Sequence, residues 1–459
     1  MNGENAPPVA LAGVYRTTRP NERLLLYRGP VELSVDSRLL RGDGELSLGW
    51  FPRPKLAFHL DVPAAADTPD LGQNGHLRLI KREGGGSVRI TSITVSEGEG
   101  AQPPRISGHV KGHFMVGTGS ILDHVVFHLV NCADYHGSSI QVSSPGSNKH
   151  WLGRVRLQAK QWTITIDSIP RQRTVLDPLD VEGGFAITHI GRLEAANGEP
   201  FSSDDAEEVL GKWLFHFLSF VRGARVNAIL PVGFDSDGNR VWEQWSSPVV
   251  DPWTGPQRSW FSRDRIEGLE DGFRLFVERW MDRDWRDPLV LALHWYCLAN
   301  RRAAGMEASV VLSQMALETM SWACLVENSG TVSERGFRRL QASDQIGLLM
   351  RQTEISLDVP SQLVDLRGYA TEENCSRGPD ALTSLRNAFV HPSKKKRERA
   401  LATSNLVPHQ AVELAVWYIE LALLWVIGYQ GRYHNRITAK AVAEAGPVPW
   451  ANTDESTRL

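Results

Sequence analysis

Gly378-Pro-Asp-Ala-Leu-Thr-Ser-Leu-Arg-Asn-Ala-Phe-Val-His391-Pro392 carries the start, the core face and the stop of one helix. Pro379 and Asp380 suit a helix start, because a missing N–H is harmless in the first turn and a carboxylate meets the positive end of the helix dipole. Leu382, Leu385 and Phe389 recur at helical spacing and predict a side turned to a core. Asn387 and His391, at i and i+4, share the opposite side, and Arg386 flanks them on a side chain long enough to reach the same spot. Pro392 disfavours helical backbone at His391, which predicts an imidazole at the helix C-terminus, where the dipole favours its protonated form.

Outward from this helix, the same spacing predicts helices at 269–280, 287–299, 306–327, 333–350, 361–371, 380–390 and 407–429. They define a helical domain over 256–435, followed by a polar tail, 436–459, with Pro447 and Pro449, expected to be flexible. The stretch 411–428 is apolar enough to resemble a membrane span, but Glu413 and Glu420 fall on one helical stripe. Two carboxylates in hydrocarbon would cost about 2.5 to 3.5 kcal/mol each near the bilayer centre. A buried helix and no membrane association are expected.

Upstream, after a flexible N-terminus at 1–23, short period-two segments dominate 24–255. Examples are Val31-Glu-Leu-Ser-Val35, His76-Leu-Arg-Leu-Ile80, Ser87-Val-Arg-Ile90, His124-Val-Val-Phe-His-Leu-Val130 and Trp162-Thr-Ile-Thr-Ile166. Turn signals at Arg41-Gly-Asp-Gly44 and Glu83-Gly-Gly-Gly86 separate them. An all-β sandwich or barrel follows, with one helix near 204–222 that begins at the N-cap cluster Ser202-Ser-Asp-Asp205. The fold class is α+β, multidomain: an N-terminal β domain and a C-terminal all-α bundle.

A chain of 459 residues suits two domains, and 42% hydrophobic with 22% charged residues places it among globular proteins. The formal net charge is −3, so any contact with nucleic acid must come from a local basic patch. Cys132, Cys297, Cys324 and Cys375 lie far apart, form no CxxC pair and suit a reducing cytoplasm. The start Met-Asn-Gly-Glu-Asn-Ala-Pro-Pro lacks the basic and apolar runs of a signal peptide, which also points to the cytoplasm. No Walker loop, Gly-x-Ser-x-Gly elbow or His-Glu-x-x-His helix occurs.

Directly after the opening helix comes Ser393-Lys-Lys-Lys-Arg-Glu-Arg399, with five basic residues: Lys394, Lys395, Lys396, Arg397 and Arg399. Phosphate chemistry needs this combination: charge to attract a backbone, a forked donor for phosphoryl oxygens, and a group exchanging a proton near neutral pH. Asp123, His124, His128, Cys132, Asp134 and His136 form a rival cluster, though their spacing matches no zinc pattern. Trp242, Trp245, Trp253 and Trp260 suit core packing better than a stacking surface, and Glu318 suits a helix surface better than a site.

Arg386-Asn387-x-x-x-His391 resembles the Arg-x(4 to 6)-His motif of HEPN domains, including the polar residue after the Arg. The order of a β-rich region and a helical region resembles the ApeA-like bacterial defence proteins. Ala292-Leu-His-Trp-Tyr-Cys-Leu-Ala-Asn300 and Leu312-Ser-Gln-Met-Ala-Leu-Glu318 are similar to the paired helices that precede the motif there. The resemblance covers about 264–432. It implies a metal-independent endoribonuclease with no cofactor, acting in antiphage defence, in which His391 is general acid or base, Arg386 stabilises the phosphate and Asn387 orients. It further implies RNA as substrate, bound by the five basic residues, a homodimer through the helical domain, and a β domain that responds to a phage-derived trigger. The alternatives are an inactive nucleic-acid-binding or dimerisation scaffold, and a ligand- or glycan-binding β domain.

Overall fold

Period-two alternation closes into a barrel in the first part of the chain. In the computed structural model the described residues are 6–36, 38–63, 74–80, 87–96, 104–119, 121–142, 149–170, 172–391, 393–395, 398–399, 404–439, 441 and 444–451. One unit comprises Met1–Cys132, Ser138–Phe215 and Val226–Pro256; the other comprises Ala133–Gly137, His216–Arg225 and Gln257–Leu459.

The β unit opens with β1 (Leu24–Val35), β2 (Arg38–Gly49), β3 (Lys55–Asp61), β4 (Asn74–Leu79), β5 (Ser87–Ser96) and β6 (Arg105–Val110), closed in the order β1-β2-β3-β6-β5-β4. Alternate residues such as Val31, Leu33, Leu46, Leu48, Phe58 and Leu60 fill its interior. The expected turn at Arg41–Gly44 is instead continuous strand, because a Cβ on Gly42 would collide with the Asp61 carbonyl of the neighbouring strand. Glycine there marks close backbone approach rather than a chain reversal.

A second sheet joins β7 (His113–Gly117), β8 (His124–Val130), β9 (Ser138–Gln141), β10 (His150–Ala159), β11 (Trp162–Ser168), β12 (Ile187–Ala195), β13 (Ala228–Phe234) and β14 (Arg240–Ser246). Their order is β7-β14-β13-β8-β12-β11-β10-β9. One hydrophobic core runs through barrel and sheet. Among the described residues two helical segments interrupt the strands where one was expected. The additional one is α1 (Arg173–Glu182), which carries an internal Pro178. The other begins as anticipated at Ser202, whose hydroxyl and Asp205 form a reciprocal capping box on α2 (Ser203–Glu208). It continues through a π-helical stretch, Val209–Leu214, into α3 (Phe215–Arg222). The N-terminal segment, expected to be loose, is tied to the sheet: Gln141 N donates to Pro8 O at 3.0 Å, and the Tyr15 hydroxyl donates to Glu243 at 2.6 Å.

The helical unit follows with α4 (Glu267–Met281), α5 (Arg283–Arg301), α6 (Met306–Trp322) and a π-helical extension, Ala323–Asn328. By length and composition alone 306–328 could cross a membrane, and most of it is buried inside this unit. The helix expected over 333–350 is broken into α7 (Glu334–Phe337) and α8 (Ala342–Gln352). Then come α9 (Val364–Glu372), α10 (Gly378–Val390) and α11 (Leu406–Val426). The last is the buried helix of the unit and packs against α5, α6, α8, α9 and α10. The expected loose tail is in part anchored, since Arg432–Tyr433 pairs with Gly446–Pro447 and Val448 is buried.

Candidate functional site

A double brace sets the start of α10. Arg377 sits at its N-cap and donates to both Asp380 oxygens, at 3.0 and 2.6 Å, and to Asp344 of α8 at 2.9 Å. Burial would raise the Asp380 carboxyl, but the Arg377 hydrogen bonds and charge hold it below the ordinary range. Inward, Ala381, Leu382, Leu385 and Ala388 are buried, and Phe389 is half-buried.

Arg386 and Asn387 lie half-buried on the other side, with Arg386 Nη1 donating to Asn387 Oδ1 at 3.2 Å. His391 is the C-cap: its backbone turns extended (φ −91, ψ 130), its N–H still reaches Asn387 O at 3.2 Å, and its ring is exposed. The structure thus joins Arg386 to Asn387 and places His391 at the end of the same helix, but its imidazole makes no hydrogen bond to either among the described contacts.

The basic stretch divides. Lys394 and Lys395 are exposed, and Lys394 stands 3.8 Å from Glu398 with 83% of its side chain in solvent. Arg399 is engaged elsewhere, 2.7 Å from the largely buried Glu373. It lines an open cavity of about 730 Å³ together with Asp365 and Glu372. Pro392, Lys396 and Arg397 lie outside the described residues.

The rival cluster does not converge. His124 pairs with Asp123 at 2.8 Å and His136 with Asp264 at 2.6 Å, while His128 Nε2 accepts from Tyr15 N at 2.9 Å inside the sheet. Among the described residues no group of three His, Cys, Asp or Glu side chains could hold a metal. Trp242, Trp245, Trp253 and Trp260 are all buried, and Glu318 accepts from Gln314 on its own helix at 2.6 Å.

Of a polar cluster beneath α11 the sequence showed the two carboxylates but not their partners. Arg436, placed in the tail by its polar surroundings, grips Glu420 with two hydrogen bonds at 3.0 and 2.7 Å, both side chains being 0% exposed. Tyr296 donates to Glu420 at 2.8 Å, and Arg436 also reaches Glu413 at 3.4 Å and Asn300 Oδ1 at 2.9 Å. Arg302 pairs with Glu413 and stands 2.8 Å from His409 Nε2. Burial pushes the Glu420 carboxyl up against the pull of Arg436, whereas Arg436 and Arg302 outweigh burial at Glu413 and hold it low. Burial and the Arg302 charge lower His409. The clue in the sequence was the pair Glu413 and Glu420 on one apolar helix, which demands a buried cation somewhere.

No solved structure matches the chain. The family described as the YopA central domain matches residues 117–256, and the YopA C-terminal domain matches 282–446. Over nearly its whole length the chain is similar to the SPbeta prophage-derived uncharacterized protein YopA of Bacillus subtilis (strain 168), 25% identical across 97% of this chain and 99% of that one.

Proposed function

We propose that the helical unit is a metal-independent endoribonuclease of the HEPN kind, serving antiphage defence under the control of the β unit. The observation that carries this is the end of α10, where hydrogen-bonded Arg386 and Asn387 are followed by an exposed His391 and two exposed lysines. In the proposed reaction a base takes the proton of an RNA 2′-hydroxyl, whose oxygen attacks the adjacent phosphorus. The bond to the 5′-oxygen breaks, an acid protonates that leaving oxygen, and a 2′,3′-cyclic phosphate remains. Arg386 steadies the charge that grows on the phosphoryl oxygens. One motif supplies a single imidazole, so a homodimer that faces two copies of α10 across a two-fold axis would provide both base and acid.

The test is cleavage of labelled RNA by the full chain and by His391→Ala and Arg386→Ala. Loss of at least a hundredfold in both, with unchanged melting and persistence of wild-type cleavage in EDTA, supports the proposal. Wild-type protein that leaves RNA intact, or His391→Ala that cuts as well as wild type, defeats it. The second possibility is a dimerisation scaffold that does not cut. The engagement of Arg399 by Glu373, beside Asp365 and Glu372, favours it by reducing the positive charge available to RNA near α10.

A further inference from the structure

We propose that the β unit binds a small apolar carboxylic acid, a medium-chain fatty acid by chemical class, in a cavity of about 470 Å³ lined by the N-terminal segment, β12 and α1. The volume lies within the range of small-molecule sites, roughly 300 to 1,000 Å³.

The apolar walls come from two separate clusters. Ile187 and Ile190 of β12 belong to the core that runs through barrel and sheet, whereas Val175 of α1 belongs to a smaller cluster with Leu176, Leu179 and Trp253. Among the described residues Ile169 is the one partly buried hydrophobic side chain that packs against both, and it too lines the cavity. Such walls offer water no hydrogen bond, and a gap between them forfeits dispersion contacts on both sides. An apolar chain lying in the gap would join the two clusters.

The remaining wall is the N-terminal segment from Ala10 to Thr18, and it is pinned in place. Leu11 N donates at 2.7 Å to the buried Asp167, which is also paired with Arg154. Tyr15 N donates to the buried His128 Nε2 at 2.9 Å, and its hydroxyl donates to the buried Glu243 at 2.6 Å. Between these anchors Gly13 lies so close to the sheet that a Cβ would stand 2.7 Å from Ile190 Cδ1. Three buried polar side chains therefore hold this wall where it is, and it cannot settle into the gap without breaking their hydrogen bonds.

Charge decides the head group. Among the described residues no Asp or Glu lines the cavity, whereas Arg16 does. Neither its guanidinium nor the Thr17 hydroxyl beside it has a partner among the described residues. Glu22, the acid nearest in sequence, is not in the lining and is occupied by the Thr18 N–H, the Thr18 hydroxyl and the Arg19 N–H. Arg16 is exposed and the isoleucines of β12 are buried, so the charge stands at the mouth and the hydrocarbon surface lies within. A planar guanidinium suits a carboxylate, which it can bind through two parallel hydrogen bonds. A fatty acid meets both demands, as neither acetate nor an alcohol of equal length does.

Calorimetric titration of the full chain with straight-chain acids from butanoate to octanoate tests this, with 1-octanol as the uncharged analogue. Affinity is expected to rise about fourfold per added methylene. Octanoate is expected to bind at least tenfold more tightly than octanol. Arg16→Gln, at an exposed position, should bring octanoate down to the level of octanol while leaving octanol binding and melting unchanged. Ile169→Trp places a larger ring in the gap and should abolish binding of both. If that variant fails to fold, the chain-length series and Arg16→Gln carry the decision. Octanoate that does not bind, affinity independent of chain length, octanol equal to octanoate, or undiminished octanoate binding by Arg16→Gln or by a folded Ile169→Trp would each overturn the assignment.

Discussion

The two units bury their titratable groups in opposite ways. In the β unit, His128 and His189 are enclosed in β8 and β12 as neutral rings, their pKa values lowered by burial to about 4 and about 3. In the helical unit, Arg436, Glu420 and Glu413 are enclosed as a charged network whose members are useful only together. A neutral ring costs little at neutral pH and becomes a liability in acid. An ion pair tolerates a wide pH range and becomes a liability when one partner is lost.

The largest effect that separates these strategies should come from Arg436→Met. It strands the buried Glu420, leaves Glu413 with Arg302 alone, and is expected to cost the helical unit about 3 to 5 kcal/mol in denaturant unfolding. Adding Glu420→Gln and Glu413→Gln should recover much of that loss. If Arg436→Met alone is nearly neutral, the network is not holding charge.

Acid should produce the next largest effect, in the other unit. The unfolded chain protonates an ordinary imidazole near 6.5, whereas folded His128 resists until about 4. Stability is therefore whole above pH 6.5 and falls as pH drops, by roughly 3 kcal/mol at pH 4 for His128 alone. Glu413, held below its ordinary value, keeps its contribution above 4.5 and gives it up only as pH falls further. Hydrogen exchange between pH 6.5 and 5 should show β8 and β12 losing protection while α11 keeps its own. Equal loss in both would erase the contrast.

Smaller changes sharpen it at the surface. Asp380→Ala removes the partly buried brace on α10 and should cost about 1 to 2 kcal/mol, with greater fraying of α10 detectable by hydrogen exchange. Glu398→Gln removes a pair exposed to solvent, and the unfolding free energy should change by less than about 0.5 kcal/mol.

What was legible in the sequence follows the range of the interaction that fixes it. Val31–Val35, His124–Val130 and the Ser202 cap were readable because alternation and capping act within a few residues. Likewise α10 could be placed almost to the residue, because Pro379, Asp380 and Pro392 mark its ends. Gly42 misled, because its reason is the Asp61 carbonyl on another strand. The helix expected over 333–350 broke where Ser333 caps a single turn through the Gly336 N–H. At the candidate site, the joining of Arg386 to Asn387 is local and was anticipated, whereas the capture of Arg399 by Glu373 spans 26 positions and left no periodic trace. Arg436 shows the same limit, since its partner Asn300 belongs to a helix more than a hundred residues earlier.

That distance also orders events at the ribosome. The apolar helix Leu406–Val426 carries Glu413, for which Arg302 is already in the chain, and Glu420, whose guanidinium partner is added 16 residues later. Until then, closure of the helical unit would enclose the Glu420 carboxylate with no guanidinium against it, which is expected to oppose a stable core. A message cut short just before Arg436 is therefore expected to yield a chain that keeps α4 to α11 and melts below the full-length protein.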